Sequence, residues 1–146
     1  MPDISLNPLA LLIATVAGFF LSFVWYTPLF GKAWAKEMGF DPNEVKPAPA
    51  LIKSLLLTVV SVFLIALVLA NNIAAWTPST WGVTSANLPK VAQALQAAFF
   101  TWMGFFLSNL LLGVAWEKRS WKLFAIDAGY YLALLLVVSF ITVYMR

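Results

Sequence analysis

Neither cysteine nor histidine occurs in the 146 residues of this chain. Their absence excludes disulfides, thiolate nucleophiles and Cys/His metal sites. It also excludes haem held by an axial His or Cys. Acid–base chemistry would fall to six Asp and Glu residues, four tyrosines or the lysines. An enzyme is therefore the least expected class, and no cofactor or metal is expected. Charge is scarce as well: 10% of the residues are charged, against about 25% in an ordinary soluble domain.

Apolar residues fill the space that charge leaves. They make up 62% of the chain, more than a domain of this size can hide in a core of its own. No charged residue lies between Asp3 and Lys32, between Lys53 and Lys90, between Lys90 and Glu117, or between Asp127 and Arg146. A helix of roughly 20 apolar residues crosses a bilayer core. The expected fold is an all-α integral membrane protein with a single four-span domain over residues 1–146. The spans are read at about 8–27, 51–74, 88–116 and 121–144, paired as two hairpins in one bundle.

Local signals set the expected ends. Asn7 caps span one and Pro8 stands at its first position, where no donor is needed. Pro28 ends or kinks it at Thr27. Met1-Pro2-Asp3 offers no basic n-region, so this stretch is read as a retained span rather than a signal peptide. In loop one, Trp34, Lys36, Glu37 and Met38 suggest a short interfacial helix. Asp41-Pro42-Asn43-Glu44 then has the layout of a second helix start. Glu37, Asp41 and Glu44 read as solvated acids or caps. Asn71 and Asn72 mark the exit of span two, and Asn87-Leu88-Pro89 leads into span three. Trp76 and Trp81 suit a headgroup layer, as do Trp116 and Trp121.

Orientation follows from the cations. Seven of the nine Lys and Arg residues lie in or beside loops one and three: Lys32, Lys36, Lys46, Lys53, Lys118, Arg119 and Lys122. The positive-inside bias puts these loops in the cytoplasm and both termini outside. A net charge of +3 gathered in this way is a topology signal, not one for nucleic acid.

Gly18-Phe19-Phe20-Leu21-Ser22 recurs as Gly104-Phe105-Phe106-Leu107-Ser108. Downstream, Gly31-Lys32-Ala33-Trp34 answers Gly113-Val114-Ala115-Trp116. Two readings stay open: a parallel duplication of hairpins about an axis normal to the membrane, or chance matches between Phe- and Leu-rich spans. The small residues Ala10, Ala14, Gly18 and Ser22 line one face of span one, and Ala97, Thr101, Gly104 and Ser108 one face of span three. Small residues at helical spacing let helices approach closely in lipid. If the repeat is real, spans one and three should meet through these stripes.

Asp127 is the one carboxylate inside a span, and Tyr130 and Tyr131 follow on the same face. Trp25, Tyr26, Ser108 and Asn109 are expected at a comparable depth. Together they suggest a small polar pocket open to the cytoplasm. A static role for Asp127, bonded to Tyr26 or paired with Lys122, Arg119 or Lys32, competes with a ligand or proton role. For Trp25 the aromatic-belt reading competes as well.

Two stretches carry a family resemblance. Trp25-Tyr26-Thr27-Pro28-Leu29-Phe30-Gly31-Lys32-Ala33-Trp34 closes span one. Trp116-Glu117-Lys118-Arg119-Ser120-Trp121-Lys122-Leu123-Phe124-Ala125-Ile126-Asp127-Ala128-Gly129-Tyr130 opens span four. Both resemble the bacterial membrane-protein family catalogued as domain of unknown function 1761. The resemblance covers nearly the whole chain and implies four spans in a bacterial inner membrane. It brings no activity with it, and it implies an Asn at the position of Asp127 in many relatives. The functional expectations are then two. One is a homo-oligomeric binder or transporter of a small or amphiphilic ligand. The other is a structural or accessory subunit that docks on a membrane-protein partner through loop one.

Overall fold

The computed structural model describes residues 4–86 and 88–146. Met1, Pro2, Asp3 and Asn87, used above to read the first span and the start of the third, lie outside the described residues. Among the described residues the regular structure is helical throughout. The chain runs α1 (Pro8–Val24), α2 (Gly31–Met38), α3 (Ala48–Trp76), α4 (Lys90–Thr101), α5 (Ser108–Trp116) and α6 (Trp121–Tyr144). Two π-helical segments, Trp25–Leu29 and Trp102–Leu107, join α1 towards α2 and α4 to α5. Four continuous helical stretches are long and apolar enough to cross a membrane: Pro8–Leu29, Ala48–Trp76, Lys90–Trp116 and Trp121–Tyr144.

The helix ends follow elementary chemistry. The Asn7 carboxamide oxygen accepts from the Leu9 and Ala10 amides at 2.9 and 3.3 Å. Its Nδ2 donates to the Met145 carbonyl at 2.7 Å, tying the two chain ends together. Ser120 caps α6 by accepting from the Leu123 amide at 3.1 Å. Span one does not stop at Thr27. A proline ring clashes with the carbonyl four residues before it in an ordinary helix. Here the chain takes Pro28 inside a wide π turn, with the Phe30 amide donating to the Trp25 carbonyl at 2.9 Å.

Two other boundaries differ from expectation. Span two starts at Ala48, earlier than Leu51, because Pro49 falls in the first turn, where no amide donor is required. It runs on through Asn71 and Asn72 to Trp76, because nothing there removes a backbone donor. The Asp41–Glu44 layout makes a turn, not a helix. Asp41 Oδ1 accepts from the Asn43 amide at 2.9 Å, and the Glu44 amide donates to the Asp41 carbonyl at 3.1 Å. Pro47 follows too soon for a helix to propagate, and it biases Lys46 towards extended backbone.

Span four is the hub. It packs against α1, α3, α4 and α5 and against the loop-one helix α2. Leu134, Leu135, Val138 and Ser139 are fully buried along it. Ala14, Val62, Ala66, Ala94 and Ala98 close in around it from the other three spans. The outward faces carry exposed Leu55, Leu56, Leu57, Val60, Leu64 and Val68 in span two and Phe99, Phe100 and Phe105 in span three. A continuous apolar exterior of this kind has hydrocarbon as its natural solvent.

The two small-residue stripes sit in unlike surroundings. Gly18 is wedged against spans two and four: a Cβ there would stand 2.6 Å from Val62 Cγ1 and 2.7 Å from Leu134 Cδ1. A Cβ on Gly104 would meet nothing within 4 Å. Gly104 and Ser108 are exposed, and Ala97 and Thr101 are half-buried. Span three instead buries Ala94 and Ala98, on a neighbouring register. So Gly18 and Gly104 do not face each other across a span-one to span-three contact, and the π turns also fall at different offsets from the two glycines.

Candidate functional site

Asp127 sits nearly two turns inside α6 and is 8% exposed. An isolated carboxylate at membrane depth is costly, so its surroundings must supply donors. The first is the Tyr26 hydroxyl, which donates to Asp127 Oδ1 at 2.7 Å. Tyr26 belongs to the π segment of span one, and the wide turn around Pro28 carries its ring to the α6 carboxylate. Among the described residues no ion pair reaches Asp127: Arg119 pairs with Glu117 at 2.7 Å, and Lys122 faces Glu37 at 3.9 Å.

Two indoles hold the backbone around the acid. Trp25 Nε1 donates to the Ile126 carbonyl at 3.1 Å. Trp102 Nε1, from the opposite side, donates to the Ala128 carbonyl at 2.8 Å. Each indole opens a π segment. Gly129 makes room for the first, since a Cβ there would be 3.1 Å from Trp25 Cζ2. The α6 backbone is therefore fixed on both sides of Asp127 by groups from spans one and three. π turns are frequent at functional sites because they re-aim side chains in this way.

Loop one completes the wall. α2 folds back onto the start of α6, where Ser120 Oγ donates to Glu37 Oε2 at 2.5 Å. Glu37, expected to be a solvated acid or a cap, instead bonds the Ser120 hydroxyl at the start of α6. The Trp34 ring meets Tyr26 edge-on with centroids 5.5 Å apart.

These elements border an open cavity of about 590 Å³. Of the residues singled out in the sequence, Asp127, Tyr26, Tyr131 and Asn109 line it, together with Arg119. Trp34, Met38, Phe105, Phe106 and Leu110 supply the apolar wall. Phe106 and Tyr131 lie with ring centroids 4.5 Å apart. Three of the expected residues stand elsewhere. The Tyr130 hydroxyl shares a hydrogen bond with Ser22 Oγ at 2.6 Å and lines a separate groove between spans one and two. Trp25 packs behind the site, its ring 4.8 Å from that of Phe30. Ser108 turns its hydroxyl onto the Gly104 carbonyl at 2.6 Å and is exposed.

The family described as "Protein of unknown function (DUF1761)" matches over residues 9–143. The chain belongs to this family. No curated protein and no solved structure matches it. The matched stretch contains every residue that lines the cavity.

Proposed function

We propose that this member of the DUF1761 family is a non-enzymatic membrane protein that binds, or carries across the bilayer, a small or amphiphilic ligand held at Asp127. The observation behind this reading is the cavity itself. A space of about 590 Å³ falls within the roughly 300–1,000 Å³ of small-molecule sites. Its wall is polar and apolar in about equal measure, with Asp127, Tyr26, Tyr131, Asn109 and Arg119 converging among rings and aliphatic side chains. The carboxylate there is buried, and its backbone is held from two sides, more order than lipid packing alone requires.

Asn109→Trp tests the reading. Asn109 is exposed on its own helix yet borders the cavity, so an indole there fills the space with little strain on the core. Native mass spectrometry on protein extracted gently from its own membrane is the measurement. The wild type is expected to carry a small-molecule adduct that the variant lacks. Identical spectra for the two would refute a ligand site.

The second reading, an accessory subunit docking through loop one, is favoured by one feature. Residues 38–53 are exposed throughout, and Val45 is 88% exposed. A co-purifying membrane protein, lost when residues 40–46 are replaced by a Gly/Ser linker, would establish it.

In either case we infer that the cavity opens to the cytoplasm of a bacterial cell, with both termini outside and several copies assembling together. The cation bias of loops one and three supports the orientation. Single cysteines at Ser85 and Lys46 test it with an impermeant thiol reagent on intact cells. Labelling is expected at position 85 and not at 46, and the reverse pattern overturns the orientation.

A further inference from the structure

Resting on the ligand-site reading above, we propose that the Asp127 cavity selects amphiphilic organic cations. The argument is one of charge and of rings. Among the described residues that line the space, one is an acid, Asp127, and one is a base, Arg119. Arg119 already has a counter-ion, since its Nε donates to Glu117 Oε2 at 2.7 Å on the exposed side. Asp127 has none within 4 Å among the described residues. Among the described residues one hydrogen bond reaches its carboxyl, from the Tyr26 phenol to Oδ1. A neutral phenol orients a carboxylate without neutralising it. The uncompensated charge of the cavity is thus negative, and a ligand that settles there must balance it.

The walls fit the same ligand. Two ring pairs flank the carboxylate: Tyr26 with Trp34, at 5.5 Å between centroids, and Phe106 with Tyr131, at 4.5 Å. They reach it from different elements, the first pair from span one and α2, the second from spans three and four. An aromatic face attracts a cation within about 6 Å of its centre, most strongly where water is excluded. Met38, Leu110 and the exposed Phe105 complete a greasy rim that suits the apolar part of such a molecule. An anion of equal shape would meet the same rim but would face an unpaired carboxylate.

Tetraphenylphosphonium and tetraphenylborate separate the two contributions, being alike in shape and opposite in charge. Binding of each is measured by equilibrium dialysis on the full chain in detergent, with protein-free micelles as background. The wild type is expected to bind the phosphonium at least tenfold more tightly than the borate above background. Asp127→Asn, which keeps an acceptor for Tyr26, should lose at least tenfold for the phosphonium and none for the borate. Phe105→Leu, on an exposed rim position that the fold does not need, should weaken the phosphonium several-fold. Equal binding of both ions by the wild type, or a phosphonium affinity unchanged in both variants, overturns the inference. If that happens while the native adduct is still lost in Asn109→Trp, the ligand site stands and only its charge preference fails. Loss of neither adduct nor probe would remove both.

Discussion

Gly18→Leu is expected to destabilise the folded bundle by about 1–3 kcal/mol, while Gly104→Leu leaves it within about 0.5 kcal/mol of the wild type. The two glycines occupy the same place in the same five-residue sequence, so composition alone makes no distinction between them. Surroundings do. At Gly18 the first added carbon already lies 2.6 Å from Val62 Cγ1 and 2.7 Å from Leu134 Cδ1. Both of those side chains are fully buried, with relative exposures of 2% and 0%. They can yield only by pushing spans two and four apart. At Gly104 nothing lies within 4 Å, and the new side chain would sit in hydrocarbon beside Phe105. Reversible unfolding in mixed detergent and dodecyl sulfate micelles reads the difference. Equal losses for both variants would mean that span three packs through Gly104 after all, for instance against a second copy, and detergent gel filtration would then reveal the lost oligomer.

This contrast shows where the sequence was legible and where it was not. Number, type and approximate limits of the four spans follow from charge-free length, because hydrocarbon imposes a minimum run of apolar residues. The pairing of Asp127 with Tyr26 was also within reach, because a lone carboxylate in a span demands a donor and few were available. Which face of each span turns inward was not. An apolar helix in lipid carries Leu and Phe on both its buried and its exposed side, so periodicity loses its meaning. Span four buries Leu134, Leu135, Val138 and Ser139 and shows no apolar stripe to announce it as the hub. The π turns shifted the register further. The one in span one brought Tyr26 to the cavity, while the one in span three interrupts the stripe that ends at Ser108. Glu37 and Trp34 were missed as site elements because loop one folds back onto α6 through a contact 83 residues away in sequence, between Ser120 and Glu37. Their signal was present only as an amphipathic loop segment with no stated partner.

Tyr26→Phe should cost about 1.5–3 kcal/mol of stability, the usual range for a hydrogen bond to a charged group. The ring keeps its contacts with Trp34 and Tyr130, whose centroids lie 5.5 and 4.9 Å away, so packing changes little. What is lost is the 2.7 Å bond into Asp127 Oδ1. Asp127 then loses the one hydrogen-bond donor that reaches its carboxyl among the described residues. Asp127→Asn alone should cost less, about 1 kcal/mol, because the amide oxygen still accepts from the phenol and the group no longer carries a charge. The double variant decides whether the two residues act as a unit. With Asn at 127, removal of the phenol strands only a neutral carbonyl, so Tyr26→Phe should become milder by about 1 kcal/mol or more. Mixed-micelle unfolding of the four proteins gives this coupling directly. Losses that add to within about 0.3–0.5 kcal/mol would show two independent sites and would deny Tyr26 its part in holding the carboxylate. A clear coupling has a consequence for binding too. Tyr26 engages Oδ1, so the bond that stabilises the bundle leaves the rest of the carboxylate facing the cavity, and one acid can brace the fold while still presenting charge to a ligand.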